Sequence, residues 1–344
     1  MAFTPGQQLQ NGKYVIDQSL NQGRFGISYL AHDKRNQRLV IKTFQDDTWQ
    51  NLTVEEKDKI NNRWLREGGV LSRFNDPHIV QFYEPFLEQG QVCLVMEYID
   101  GQDLASLSSQ ILPVEKALEY IQQIGSALQV IHAQGLVHRD VKPGNIMLRA
   151  GKPEAILIDF GLAGGTDETI TMNKSTTEEN FTAPELIDSN GKTEPYSDVY
   201  SLGATLYALL SGQAPPPVKE RVKIGKDKLP PLPETVDQQI YDAITEAMKL
   251  DYTQRLKTVD EFLNLLNFSG SKKRGINPPI QQQGHDPDHW TRIQTRFTIY
   301  SVGVGVLGIL VAILLTLFGQ ELKNFLMSPF SQPSPEKQQE RKSN

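Results

Sequence analysis

Between Tyr14 and about Asn267 the chain alternates short apolar and polar blocks separated by ordinary turn residues, the pattern of one long folded region. The first part predicts strands. YVIDQSL, GISYLAHD and RLVIKTF are short, rich in β-branched and aromatic residues, and bounded by turns containing Gly or Asn. A helix is predicted from about Val54 to Phe74, and QVCLVMEYI reads as a buried strand that ends at the turn Asp100-Gly101. From Pro113 onward helical periodicity dominates, as in VEKALEYIQQIGSALQVIHAQG, which stops at Gly135 as a helix C-terminus should. The expected fold class is α+β: a strand-rich lobe over about 14–97, then a helical lobe over about 101–267, with residues 1–13 a separate N-terminal segment.

The pattern fails at residue 268. Residues 268–296 are rich in Gly, Pro, Gln and Ser and read as a linker. Phe297 to Phe318 then runs for 22 residues without a charge, about 33 Å of helix, enough to cross a bilayer. A transmembrane helix is predicted at 297–318, with Trp290 and Tyr300 as interfacial anchors. Within it Ser301, Gly305, Gly308 and Ala312 share one helical face, a stripe that would let two spans pack closely into a homodimer. The remaining 319–344 is a short polar tail without a folding pattern.

Composition narrows the function. The 344 residues are 38% hydrophobic and 22% charged, a globular balance, and the net charge of −6 offers no basic excess for nucleic acid. A single cysteine, Cys93, allows neither an internal disulfide nor a thiolate metal cluster, which fits a reducing compartment. The first 30 residues show no signal-peptide pattern.

The chemistry lies in HRDVKPGN at 138–145, DFG at 159–161 and APE at 183–185, preceded by Lys42 closing the strand LVIK and by the Gly-containing turn LNQGRFG. Five fixed residues in HRDxKxxN arise by chance at roughly one position in a few million when residues are equally frequent. In these motifs, their order and their spacing, residues 14–267 resemble the Ser/Thr branch of the protein kinase family, and the single-span arrangement resembles that of bacterial members.

The resemblance implies a two-lobed fold that transfers the γ-phosphoryl group of ATP, with Mg²⁺, to Ser and Thr hydroxyls of protein substrates. Such chemistry needs positioning and charge neutralisation more than covalent help. Lys42 would hold the α- and β-phosphates and be held in turn by Glu67. Asp159 and Asn145 would bind Mg²⁺, Asp140 would take the substrate hydroxyl's proton, and Lys142 would stabilise charge on the transferred group. Leu20, Val40, Met147 and Ile158 would line the adenine pocket with Met96 at its rear, and backbone groups of Glu97 and Ile99 would meet the adenine edge. The phosphates would lie under the turn formed by Asn21, Gly23, Gly26 and Ser28. His138 would pack under Phe160, Glu185 would pair with Arg255, and Asp198 would anchor the catalytic loop's backbone.

Three positions depart from the family pattern: Asn21 stands for the first loop glycine, Ser28 for a Val, and Val40 for an Ala. Asn tolerates positive φ better than most residues. In the activation segment Glu178 replaces the usual Thr, and Glu178 and Glu179 read as solvated carboxylates. Arg139 before Asp140 implies an anionic partner, and the hydroxyls of Thr166, Thr169, Thr171, Ser175, Thr176 and Thr177 are expected sites of self-phosphorylation. ATP and a reducing milieu would place residues 1–296 in the cytosol. The function of a different class is a kinase-shaped scaffold, disfavoured because a scaffold has no chemical need for Lys42, Glu67, Asp140, Asn145 and Asp159 together.

Overall fold

The computed structural model describes residues 3–23, 26–45, 49–107, 111–160, 179–187, 192–223 and 229–270. The predicted span at 297–318, the linker, the tail and most of the activation segment lie outside the described residues. No helix among the described residues is long and apolar enough to cross a membrane.

The four predicted strands form, and two further strands, at residues 8–9 and 82–88, join their sheet. β1 (Gln8–Leu9), β2 (Tyr14–Gly23), β3 (Gly26–Asp33), β4 (Arg38–Thr43), β5 (Phe82–Glu88) and β6 (Gln91–Glu97) pair in an antiparallel sheet of order β1-β2-β3-β4-β6-β5. Because side chains alternate across a strand, the register sorts residues into two faces. Tyr29, Ile41 and Val95 make one rung of the outer face; Ser28, Lys42 and Leu94 make the neighbouring rung of the inner face. The outer face is a hydrophobic cluster of its own. Phe3 and Leu9 belong to it together with Ile16, Ile27, Tyr29, Ile41, Phe86, Cys93 and Val95. Residues 3–13 are therefore part of this lobe, held also by the Phe3 N–H on Tyr29 Oη at 3.1 Å and the Gln10 N–H on Glu88 Oε2 at 2.9 Å. Burial pushes the Cys93 thiol up to about 12.

Helix α1 (Val54–Leu71) covers the inner face. It starts where the sequence permits, because Thr53 and Glu56 form a reciprocal capping box: the Glu56 N–H donates to Thr53 Oγ1 at 3.3 Å and the Thr53 N–H to Glu56 Oε2 at 2.8 Å. Asn61 pins it to the β5–β6 hairpin, donating to the Gly90 carbonyl at 2.8 Å and accepting from the Val92 N–H at 3.0 Å. Trp64 and Leu71 are buried, and Gly68 lets the helix lie against Leu94, since a Cβ there would come within 2.8 Å of its side chain.

The second lobe is built around α2 (Val114–Ala133) and the almost wholly buried α4 (Pro195–Ser211), with α3 (Pro184–Ile187) and α5 (Val218–Lys223) short and α6 (Gln238–Ala247) and α7 (Val259–Gly270) packed against α4. Beyond α2, Gly135 takes φ +70°, the left-handed turn expected there. A three-stranded sheet of β7 (Gly101–Asp103), β8 (Ile146–Arg149) and β9 (Ala155–Leu157) joins the lobes. The Val80 N–H bonds the Leu157 carbonyl and the Leu157 N–H the His78 carbonyl, so the chain leaving α1 is tied to β9.

Leu9 is fully buried under the outer face although it lies outside the strand-rich pattern. Leu9→Ala is expected to lower the unfolding free energy by about 2–5 kcal/mol, the usual cost of such a cavity. Urea denaturation followed by tryptophan fluorescence measures it, and an unchanged midpoint would separate residues 3–13 from the folded lobe.

Candidate active site

The buried carboxylate of Asp198, in the first turn of α4, organises the site. Its Oδ2 accepts the His138 N–H and its Oδ1 the Arg139 N–H, each at 2.8 Å, and His132 Nε2 on α2 lies 2.8 Å from Oδ2. Burial pushes the Asp198 carboxyl up, but the His132 hydrogen bond and the backbone N–H of Arg139 outweigh it and hold the group below the ordinary carboxylate range. Arg139, at φ +71°, stays in a left-handed conformation that non-glycine residues seldom adopt, held by the anchored N–H groups of His138 and of Arg139 itself.

His138 is structural, as expected. Its Nε2 lies 3.1 Å from the Ile158 carbonyl, so that nitrogen carries the proton, and its ring packs 4.6 Å from Phe160. Complete burial lowers its basicity and keeps it neutral.

Asp140 then projects into the cleft. Asn145 Nδ2 donates to its carbonyl at 2.8 Å and to Oδ2 at 2.7 Å, and Lys142 Nζ lies 3.0 Å from the same Oδ2. The Asn145 carbonyl accepts the Ile158 N–H at 2.9 Å, and the next residue, Asp159, is again left-handed at φ +60°. Asp159 Oδ1 pairs with Lys42 Nζ, which arrives from the inner face of β4. One bonded path thus runs from Lys42 through Asp159, Ile158 and Asn145 to Asp140 and Lys142.

Glu67 departs from expectation. Lys42 has Asp159 as its partner, whereas Glu67 on α1 accepts from Arg63 Nε at 2.9 Å. Arg63, four residues before Glu67, was not singled out from the sequence, although that spacing places both on one helical face. His132 was missed as well; its contact with Asp198 spans 66 positions and has no local signal.

Val40, Met147 and Ile158 pack against the cluster containing Met96 and Ile99. Leu20 sits at an irregularity in β2, between Ser19 and Asn21, and is 43% exposed. Asn21 pairs with Ser28 and Gly23 with Gly26. At Gly26 a Cβ would lie 2.3 Å from the Thr43 carbonyl oxygen, so the hairpin can close over β4 only with glycine there. Glu97 turns its side chain to Arg149 at 2.8 Å and its N–H to the Gln81 carbonyl at 2.8 Å.

Glu185 and Arg255 form the expected pair, bidentate at 2.7 and 3.0 Å and buried, with Ser197 Oγ donating to Glu185 at 2.8 Å. The expectation for Glu179 is corrected. Its side chain is only 13% exposed and lies 3.1 Å from Lys219 of α5, a long-range partner that removes it from free solvent. Glu178 and the expected self-phosphorylation sites lie outside the described residues.

The cleft suits a magnesium nucleotide. Asp159 and Asn145 offer hard oxygen donors, and Mg²⁺ commonly takes one or two protein ligands with the remainder from phosphates and water. Among the described residues no group of three or more His, Cys, Asp or Glu forms a self-sufficient metal site.

Residues 14–266 match the family described as protein kinase domain. The chain is 33% identical over 210 residues to the serine/threonine-protein kinase PknE of Mycobacterium tuberculosis, covering 60% of this chain and 36% of the relative. It is 26% identical over 301 residues to the probable serine/threonine-protein kinase CPE1738 of Clostridium perfringens, covering 84% of this chain and 42% of that protein. The chain therefore spans less than half the length of either. Its fold is similar to the PknI kinase domain of Mycobacterium tuberculosis, with TM-score 0.60, 23% identity and coverage of 78% and 99% of the two chains. It is similar also to Rad53 1–466 in complex with AMP-PNP, with TM-score 0.59, 23% identity and coverage of 74% and 65%.

Asp198→Asn is expected to cost about 3–5 kcal/mol at neutral pH, because it removes the charge from a buried hydrogen-bonded network. A carboxyl held below its unfolded value of about 3.9 contributes fully above that pH and loses its contribution as the pH falls through the folded value. The difference from wild type should therefore shrink in acid. Urea midpoints at neutral and acid pH measure both effects.

Proposed function

This chain belongs to the protein kinase family, and on that premise we propose that it transfers the γ-phosphoryl group of Mg·ATP to Ser or Thr hydroxyls of protein substrates. The observation that carries the reading is the continuous path from Lys42 through Asp159 and Asn145 to Asp140 and Lys142.

Each residue has a role that follows from its charge and place. Lys42, on a rigid strand, holds the α- and β-phosphates. Gly26 and its hairpin lie over them, with backbone rather than side chains in reach of the oxygens. With the Glu97 N–H committed to Gln81, the Glu97 carbonyl and the Ile99 backbone serve the adenine edge. Asp159 and Asn145 hold Mg²⁺, which when bound neutralises charge on the phosphates. Asp140, oriented by Asn145, accepts the hydroxyl proton, while Lys142 offsets charge developing on the group in transfer.

We propose further that residues 297–318 anchor the protein in a membrane as a single span, with the kinase domain on the cytoplasmic side where ATP is available. Twenty-two residues without a charge support this. Self-phosphorylation within Thr166 to Thr177 would supply the anion for Arg139, and spans paired along Ser301, Gly305, Gly308 and Ala312 would bring two domains together for it.

Lys42→Met, Asp140→Asn and Asp159→Asn are each expected to lower transfer of labelled phosphate from Mg·ATP to a basic protein by at least about 100-fold, without loss of the folded state. Wild-type turnover in Asp140→Asn would end the assignment. Residues 1–291 alone should partition into the soluble fraction and retain transfer, whereas the full chain should sediment with membranes and resist carbonate extraction; release of the full chain by carbonate would reject the span.

A further inference from the structure

The segment that joins the lobes runs from Glu97, the last residue of β6, to Gly101, the first of β7, and carries the backbone groups assigned to the adenine edge. Tyr98, Ile99 and Asp100 between them belong to no strand. Main-chain bonds hold the two ends: the Glu97 N–H donates to the Gln81 carbonyl at 2.8 Å, and the Asp100 carbonyl accepts the Ala150 N–H at 2.7 Å. A side-chain pair links the same ends directly. Arg149 stands opposite Gly101 in the register of β7 and β8, and its Nη1 donates to Glu97 Oε1 at 2.8 Å.

The sequence makes this link possible at two points. A Cβ on Gly101 would lie 1.9 Å from the Leu148 carbonyl oxygen, so only glycine lets β7 lie this close to β8, which brings Arg149 beside the segment. Glu97 falls on the outer-face rung opposite Leu39, whereas Met96 before it falls on the inner rung with Val40. The Glu97 side chain therefore points away from the nucleotide cleft, and its pair with Arg149 lies behind the adenine-facing backbone. Arg149 has a second carboxylate partner. Its Nε donates to Glu154 Oε2 at 3.1 Å, and Glu154 Oε1 lies 3.5 Å from Lys152 Nζ. Glu154 thus fixes one edge of the planar guanidinium while the other edge meets Glu97. The Glu97 hydrogen bond raises the basicity of Arg149 against partial burial, and the Glu154 charge adds to the rise. Glu97 and Arg149 are each 26% exposed, more shielded than a surface ion pair.

Adenine presents a donor and an acceptor along its pairing edge where guanine presents the reverse, so a backbone carbonyl and N–H held in place accept the one and oppose the other. We infer that the Glu97–Arg149 pair is a positioning clasp that keeps the joining segment in register with adenine and so sets the preference for ATP over GTP. This rests on the kinase reading and adds to it a determinant of base choice whose side chains touch neither the nucleotide nor the residues of transfer.

The test uses the full chain in detergent and measures kcat and KM for Mg·ATP and Mg·GTP by transfer of labelled phosphate to a basic protein. Glu97→Met and Arg149→Met should each raise KM for ATP about three- to fivefold, the upper part of the range for a partly shielded ion pair, with kcat little altered and KM for GTP not raised. The ATP preference in kcat/KM then falls by the same factor. The double variant should be no worse than either single one, because both remove the same interaction. Glu154→Met leaves Glu97 its partner and should keep the preference within about twofold of wild type. An unchanged preference, a loss that falls equally on ATP and GTP, additive effects in the double variant, or a loss in Glu154→Met as large as in Glu97→Met would overturn the inference while leaving the kinase reading intact. Absence of transfer from Mg·ATP by the wild-type protein would overturn both.

Discussion

A single carboxylate buried between two helices and a loop determines where the chemistry happens. Asp198 sits in a helix that packs on nearly every side, so its position is fixed by hydrophobic burial before any polar contact is considered. A charge placed so deep requires compensation, and the residues that provide it are the backbone N–H groups of His138 and Arg139 and the ring of His132. The catalytic loop is therefore where the buried charge needs donors. Its strained left-handed residue is held from the same point, and Asp140 emerges one residue later with its direction already set.

The two lobes meet this anchor through main-chain bonds more than through side chains. The exchange between His78, Val80 and Leu157 ties the end of α1 to β9, and β9 leads directly into Ile158 and Asp159. A helix whose far end carries Glu67 is thus fastened at the strand that delivers the other acidic residue. Asn61 and the contact at Gly68 hold the helix to the sheet. On its face toward the cleft, Glu67 pairs with Arg63 of the same helix, while Lys42 pairs with Asp159.

Much of this was legible in the sequence because the informative residues are contiguous. The loop motif sits in one stretch whose residue types admit few physical uses, whereas the anchoring role of Asp198 and the Glu185–Arg255 pair, 70 positions apart, were expected only from the family resemblance. What escaped was non-local or isolated. Phe3 and Leu9 are single apolar residues without period, and only the alternation of the sheet shows that they complete its outer face. Glu179 read as solvated because nothing nearby in sequence marks Lys219, 40 residues away, as its partner. The Lys42–Glu67 expectation assumed one partner for each charge, whereas Arg63 and Asp159 compete for the same two groups. Spacing can put residues on one face, but which of several nearly equal pairs forms depends on burial and on every other charge in reach.

The outer face of the sheet has a further consequence for Cys93. The chain's single thiol is sealed beneath a strand pair and the N-terminal segment, and burial keeps it protonated far above neutral pH. Peroxides attack thiolates that they can reach, so this sulfur offers them nothing while the lobe is folded. No other cysteine exists in the chain to respond in its place. The folded lobe is thus insulated from direct oxidation at Cys93, and the phosphoryl transfer proposed for it does not depend on the state of that thiol.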